Sequence, residues 1–98
     1  MEAPKTFKDL GFKFNEVEKW YKIEDILKEE IMVQDFILVN GGYSVYALIT
    51  FNWRHDGMLY GVSTGAKVII EKLQQAREQH LLPLAGTIIH EKRWYDLV

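Results

Sequence analysis

The tripeptide Asn40-Gly41-Gly42 constrains the fold of this chain more than any other feature. It separates EIMVQDFILVN (residues 30–40) from YSVYALITFNW (residues 43–53). Asn and Gly accept positive φ at little cost, so this is a tight turn. The flanking runs are rich in β-branched and aromatic residues and lack a helix-length polar face, so both read as strands. In the second run Val45, Ala47, Ile49 and Phe51 share one face, and Tyr46, Leu48, Thr50 and Asn52 share the other. Arg54-His55-Asp56-Gly57 makes a further turn, and MLYGVST (residues 58–64) a third strand. The hairpin therefore extends into a three-stranded antiparallel meander.

The period then changes. Ala66, Ile69, Ile70, Leu73 and Ala76 recur at helical spacing, with Lys67, Glu71, Lys72, Gln74, Gln75 and Glu78 opposite them. Ser63 or Thr64 is expected to cap this helix, with Gly65 at the bend. The helix should end near His80, ahead of Pro83. LAGTIIHE and RWYDLV follow as two more strands, joined by a tight turn at Lys92-Arg93. YKIEDIL (residues 21–27) fits either a short strand or a single helical turn. Residues 1–20 read as an N-terminal extension, in which Thr6 and Asp9 have capping-box spacing. Phe7, Leu10, Phe12 and Phe14 could tack it onto the body.

Three strands, a helix and a closing hairpin describe a mainly β fold. The expected architecture is a small five-stranded OB-like barrel spanning residues 21–98, with one helix between the third and fourth strands. An α+β sandwich is the alternative arrangement. With 98 residues there is room for one core. No apolar run reaches the roughly 20 residues needed to span a bilayer. The N-terminal MEAPKTFKDL has no apolar signal core, and the chain has no cysteine. Cytoplasmic residence is the expectation.

Glycine and lysine in GVSTGAK (residues 61–67) invite comparison with a phosphate loop. The pattern GxxxxGK[ST] requires one more residue between the glycines and a Ser or Thr after the lysine. Neither is present. The start of the helix could still hold an incidental anion. His55, His80 and His90 lack metal-ligand spacing. Glu24-Asp25 and Glu29-Glu30 are neighbours whose side chains diverge on a strand. No GxSxG and no cysteine nucleophile is present. The residues call for no catalysis, metal or cofactor.

What remains is aromatic rings beside basic and polar groups. Trp53 and Arg54 lie at one hairpin tip, Lys92, Arg93 and Trp94 at another, and Tyr43 and Tyr46 begin the second strand. Bases stack on exposed rings whatever their identity, and Arg and Lys contact phosphates. The competing reading places these rings in the core. Alternation assigns Phe51 and Tyr95 inward, sets Trp94 outward and Tyr46 opposite the Val45–Ala47 register, and leaves Trp53 ambiguous. Net charge is −2, with acidic residues in excess before Asn40 and basic residues slightly in excess after Phe51.

The run from GGYSVYALITFNWRHDGMLYGVSTGAKVIIEKLQQA to LPLAGTIIHEKRWYDLV resembles small OB-type single-stranded DNA-binding proteins of Gram-positive phages and mobile elements. The likeness lies in the hairpin, the DG-x-x-Y-x-x-S-T-G junction, the apolar helix, LP-x-x-x-x-I and the final aromatic pair. It implies strand coating during replication or recombination, without catalysis. Tyr43, Tyr46, Trp53 and Trp94 would stack on bases, and Arg54, Lys92 and Arg93 would contact phosphates. A protein-interaction module of the same fold is the alternative. A homo-oligomer is an open expectation, with the edges of the second and last strands free to pair across a two-fold axis.

Overall fold

The computed structural model describes residues 16–53 and 56–98. The expectations placed on Thr6, Phe7, Asp9, Leu10, Phe12, Phe14, Arg54 and His55 lie outside them. Strand β1 (Val17–Tyr21) leads into a single 3-10 turn, Ile23–Ile26. Strands β2 (Glu30–Asn40), β3 (Val45–Trp53) and β4 (Leu59–Thr64) form the meander. Helix α1 (Lys67–Glu78) is followed by β5 (Leu84–Glu91) and β6 (Trp94–Leu97).

The six strands form one open sheet in the order β1-β4-β3-β2-β5-β6. The fold is thus mainly β with one helix, as expected, but the sheet is not the closed five-stranded barrel. The difference is β1. It pairs in parallel with β4, Trp20 opposite Gly61 and Tyr21 opposite Val62. Val17–Tyr21 therefore begins inside the sheet, where the sequence places residues 17–20 in an extension. A β-carbon on Gly61 would lie 2.5 Å from the Trp20 ring, so the approach of β1 requires a glycine there. The sequence also offers the second strand as a free edge. That strand is β3, which is paired on both sides, to β2 and to β4.

A bulge in β2 sets which residues face inward. The pairing with β3 shifts between Val33 and Asp35. The extra residue moves the inward face from Ile31 and Val33 to Phe36 and Leu38, and sets Ile37 and Val39 on the opposite face. Phe36 and Phe51 are fully buried together with Ile26, Ile49, Ile69 and Ile88. Fully burying one such side chain contributes about 1.5–3 kcal/mol. The helix delivers Ile69, Leu73 and Ala76 to this core.

Two ion pairs fix the helix laterally. Arg77 donates to Asp35 Oδ1 at 2.8 Å and to the Phe36 carbonyl, and its guanidinium lies 3.9 Å from the centre of the Phe36 ring. Lys72 pairs with Asp96 at 2.7 Å and donates to the Leu97 carbonyl at 2.9 Å. The first ties α1 to the β2 bulge and the second ties it to β6. No helix among the described residues is long and apolar enough to cross a membrane.

Candidate functional site

The chain leaves β4 through Ser63-Thr64-Gly65 and enters α1 at Lys67. Thr64 Oγ1 accepts the Ala66 N–H at 3.1 Å. The N-cap position itself is Ala66, and no side chain caps the helix. Neither Ser63 nor Thr64 thus fills the capping role expected of them. The first turn also has no acidic residue. Lysine at the first helical position adds positive charge to the positive end of the helix dipole, which disfavours the helix by a few tenths of a kcal/mol or more. Local rules broken in this way concentrate where a protein binds something.

The β5–β6 hairpin stands opposite that helix start. A cleft of about 390 Å³ lies between them, lined by Ser63 to Val68 on one side and Arg93, Trp94 and Tyr95 on the other, with Ile23 completing the wall. Among the described residues that line it, Lys67 and Arg93 are charged and none is acidic, while Glu24 accepts a hydrogen bond from the lining Tyr95. Trp94 is 49% exposed, and Arg93 is exposed beside it.

The hairpin is held firmly. Tyr95 donates its hydroxyl to Glu24 at 3.0 Å and stacks on His90 with ring centres 4.4 Å apart. That hydrogen bond, with a smaller contribution from burial, raises the Tyr95 pKa above the ordinary phenol value. On the next residue, the Lys72 hydrogen bond holds the Asp96 carboxyl below its ordinary range against the opposing effect of burial, and the Leu97 N–H adds to it. Trp94 is therefore presented by a strand whose following two side chains are both anchored. At the turn, Lys92 has φ 47°, in the left-handed region that costs a non-glycine residue about 1 kcal/mol.

The structure divides the other candidate residues. Tyr43 is wholly exposed in the β2–β3 turn. Tyr46 is half-buried, its ring lying 3.1 Å from where a β-carbon on Gly41 would sit. It precedes Ala47, whose partner across the ladder is Thr64 in the cleft wall. Trp53 is corrected from a stacking residue to a core residue. It is 7% exposed, with Tyr21 and Tyr60 packed edge-on at 5.1 and 6.2 Å. Strand alternation accounts for this, since Trp53 lies in register with the inward-facing Ile31. Lys67 was absent from the sequence-derived set. Its signal was a helix whose first turn carries a lysine and no acid.

A second recess, of about 370 Å³, lies by Gln34, Asp35, Thr50 and Asn52. Its polar groups already serve one another. Gln34 donates to Asn52, Asn52 donates to the Met58 carbonyl at 2.7 Å, and Asp35 receives Arg77. Among the described residues no cluster of His, Cys, Asp and Glu could hold a metal ion.

The chain belongs to the family described as Domain of unknown function (DUF8468), whose model matches residues 17–98. The match begins at the first residue of β1 and takes in all six strands, the helix and both sides of the cleft. No curated protein and no solved structure matches the chain.

Proposed function

We propose that this chain is a non-catalytic single-stranded DNA-binding protein. The observation that carries the reading is the half-exposed Trp94 ring beside Arg93, facing Lys67 and an uncapped helix start across a cleft whose charged lining, among the described residues, is basic. A base stacks on Trp94, worth about 1–3 kcal/mol. A neighbouring phosphate sits between Lys67, Arg93 and the first N–H groups of α1, where the helix dipole favours negative charge. Lys92 at the turn and Tyr43 and Tyr46 at the other hairpin extend the contact along the strand.

The OB-like arrangement belongs to the same reading. Taken without β1, the order β2-β3-β4-α1-β5-β6 with β5 beside β2 is compatible with the strand plan of that fold, left open because β6 does not pair with β4 among the described residues. Oligonucleotides approach it through the loops joining its first two and last two strands. In this chain those loops hold Tyr43 and Lys92-Arg93. Strand coating in phage or mobile-element replication or recombination is the corresponding role.

Few phosphates are contacted. About three, from Lys67, Lys92 and Arg93, imply that log K falls with log salt at a slope near −2. Fluorescence anisotropy of labelled oligo-dT at low and moderate salt checks this. Binding that fades with about that slope supports the reading, and no binding at low salt contradicts it. The second reading, a protein-interaction module, draws on the exposed apolar rings of Tyr43 and Trp94. It would take over on that negative result.

A further inference from the structure

We infer that the far half of β2 is a docking edge for a second copy of this chain. The inference is independent of nucleic acid. Strand β5 pairs with β2 only from Glu30 to Val33. Beyond that point, no strand among the described residues covers the side of β2 that faces away from β3.

Two observations fix which backbone groups point to that side. Gly41 donates to Ser44 across the hairpin, so Gly41, Val39 and Ile37 direct their main-chain groups toward β3. The groups of the alternating residues face the edge. Phe36 agrees: its N–H donates to Asp35 Oδ1 at 2.8 Å and its carbonyl receives Arg77. Phe36 is thereby closed off. Leu38 and Asn40 are left with edge-facing N–H and C=O groups that have no partner among the described residues.

The other edges are guarded. Strand β1 presents the exposed charges of Glu18 and Lys19, and the β6 carbonyl of Leu97 is held by Lys72. The open part of β2 carries no such device. Residues 36–53 contain no charge at all. An antiparallel copy would therefore set no like charges opposite one another, despite the net charge of −2.

Self-complementarity selects the second copy as occupant. With a two-fold axis at Val39, Leu38 of each copy faces Asn40 of the other, and all four free N–H and C=O pairs are satisfied. Ile37 falls opposite Gly41, and the two Val39 residues meet as a non-hydrogen-bonded pair with α-carbons about 4.5 Å apart. Leu38 and Val45, 38% and 46% exposed beside this edge, gain cover. The sheet then runs continuously through both copies.

The register makes the test specific. The chain has no cysteine, so Val39→Cys introduces a single thiol at the axis, within disulfide reach of its mate. Mild oxidation is expected to give a disulfide-linked dimer much faster than in Gln74→Cys, placed on the exposed face of α1. Wild-type protein is expected to sediment as a concentration-dependent dimer. Leu38→Pro removes an edge N–H without touching the β3 ladder and should sediment as a folded monomer. A wild type that remains monomeric, or Val39→Cys that cross-links no faster than Gln74→Cys, overturns the inference. The cysteine comparison decides the matter if Leu38→Pro does not fold.

Discussion

Trp53 and Trp94 both stand next to an arginine at the end of a strand, yet the fold gives them opposite fates. Trp53 ends β3, a strand paired on both sides, and its buried ring packs against the partly buried Tyr21 and Tyr60. Trp94 begins β6, which among the described residues pairs only with β5, and its ring stays half in solvent. The packing around each strand end, more than the residues beside the ring, decides whether an aromatic tip is buried in the fold or left in solvent. Each tryptophan should therefore fail a different assay.

The largest expected effect is on stability. Trp53→Ala should lower the unfolding free energy by about 3–5 kcal/mol in denaturant titrations, because it empties a core site. Trp94→Ala should leave the denaturant midpoint almost unchanged. The same Trp94→Ala substitution should weaken oligo-dT binding by about 1–3 kcal/mol, roughly fivefold to 150-fold. If Trp94→Ala instead unfolds the protein, its ring belongs to the core and the contrast fails. Next, Arg93→Ala and Lys67→Ala should each weaken binding and flatten the salt slope by about 0.7. An unaltered slope in both would remove the helix start from the site.

The two regions should also loosen at opposite extremes of pH. Tyr60, beside Trp53, donates to Asp56, and that hydrogen bond, aided by burial and by the Asp56 charge, pushes its pKa up to about 12. The neutral phenol is thus favoured in the fold. Its contribution is complete below the unfolded value of 10.0 and is lost as pH rises toward about 12. Asp96, in the strand of Trp94, has a lowered pKa through Lys72. Its contribution is complete above the ordinary carboxylate range and disappears as pH falls through the folded value. Alkaline titration followed by tyrosine absorbance, and acid titration followed by Trp94 exposure in a Trp20→Phe, Trp53→Phe background, separate the two. Both effects are small, since the Tyr60–Asp56 and Lys72–Asp96 pairs are each open to solvent, which screens them.

Much of the fold was legible because it is locally encoded. Asn40-Gly41-Gly42 marked the first hairpin, the spacing from Ala66 to Ala76 marked α1, and alternation set Trp94 outward. What escaped depends on contacts distant in sequence. Residues 17–21 read VEKWY, a mixed run that becomes a strand because Gly61 leaves room for the Trp20 ring. The β2 bulge has no marker in QDF, and only pairing with β3 shows that Phe36 replaces Ile37 on the inner face. The cleft was split between two motifs some 25 residues apart, GVSTGAK and KRWY, each legible by itself. Their juxtaposition arises from the packing of β6 along α1, which no local pattern announces.

The most direct test of the account is tryptophan emission during titration with unlabelled oligo-dT, in wild type and in Trp94→Phe. The account predicts quenching in the wild type that reverses with added salt and is largely lost in Trp94→Phe, with Trp20 and Trp53 contributing little. Equal quenching in both proteins, or none in either, would contradict the assignment of Trp94 as the stacking surface.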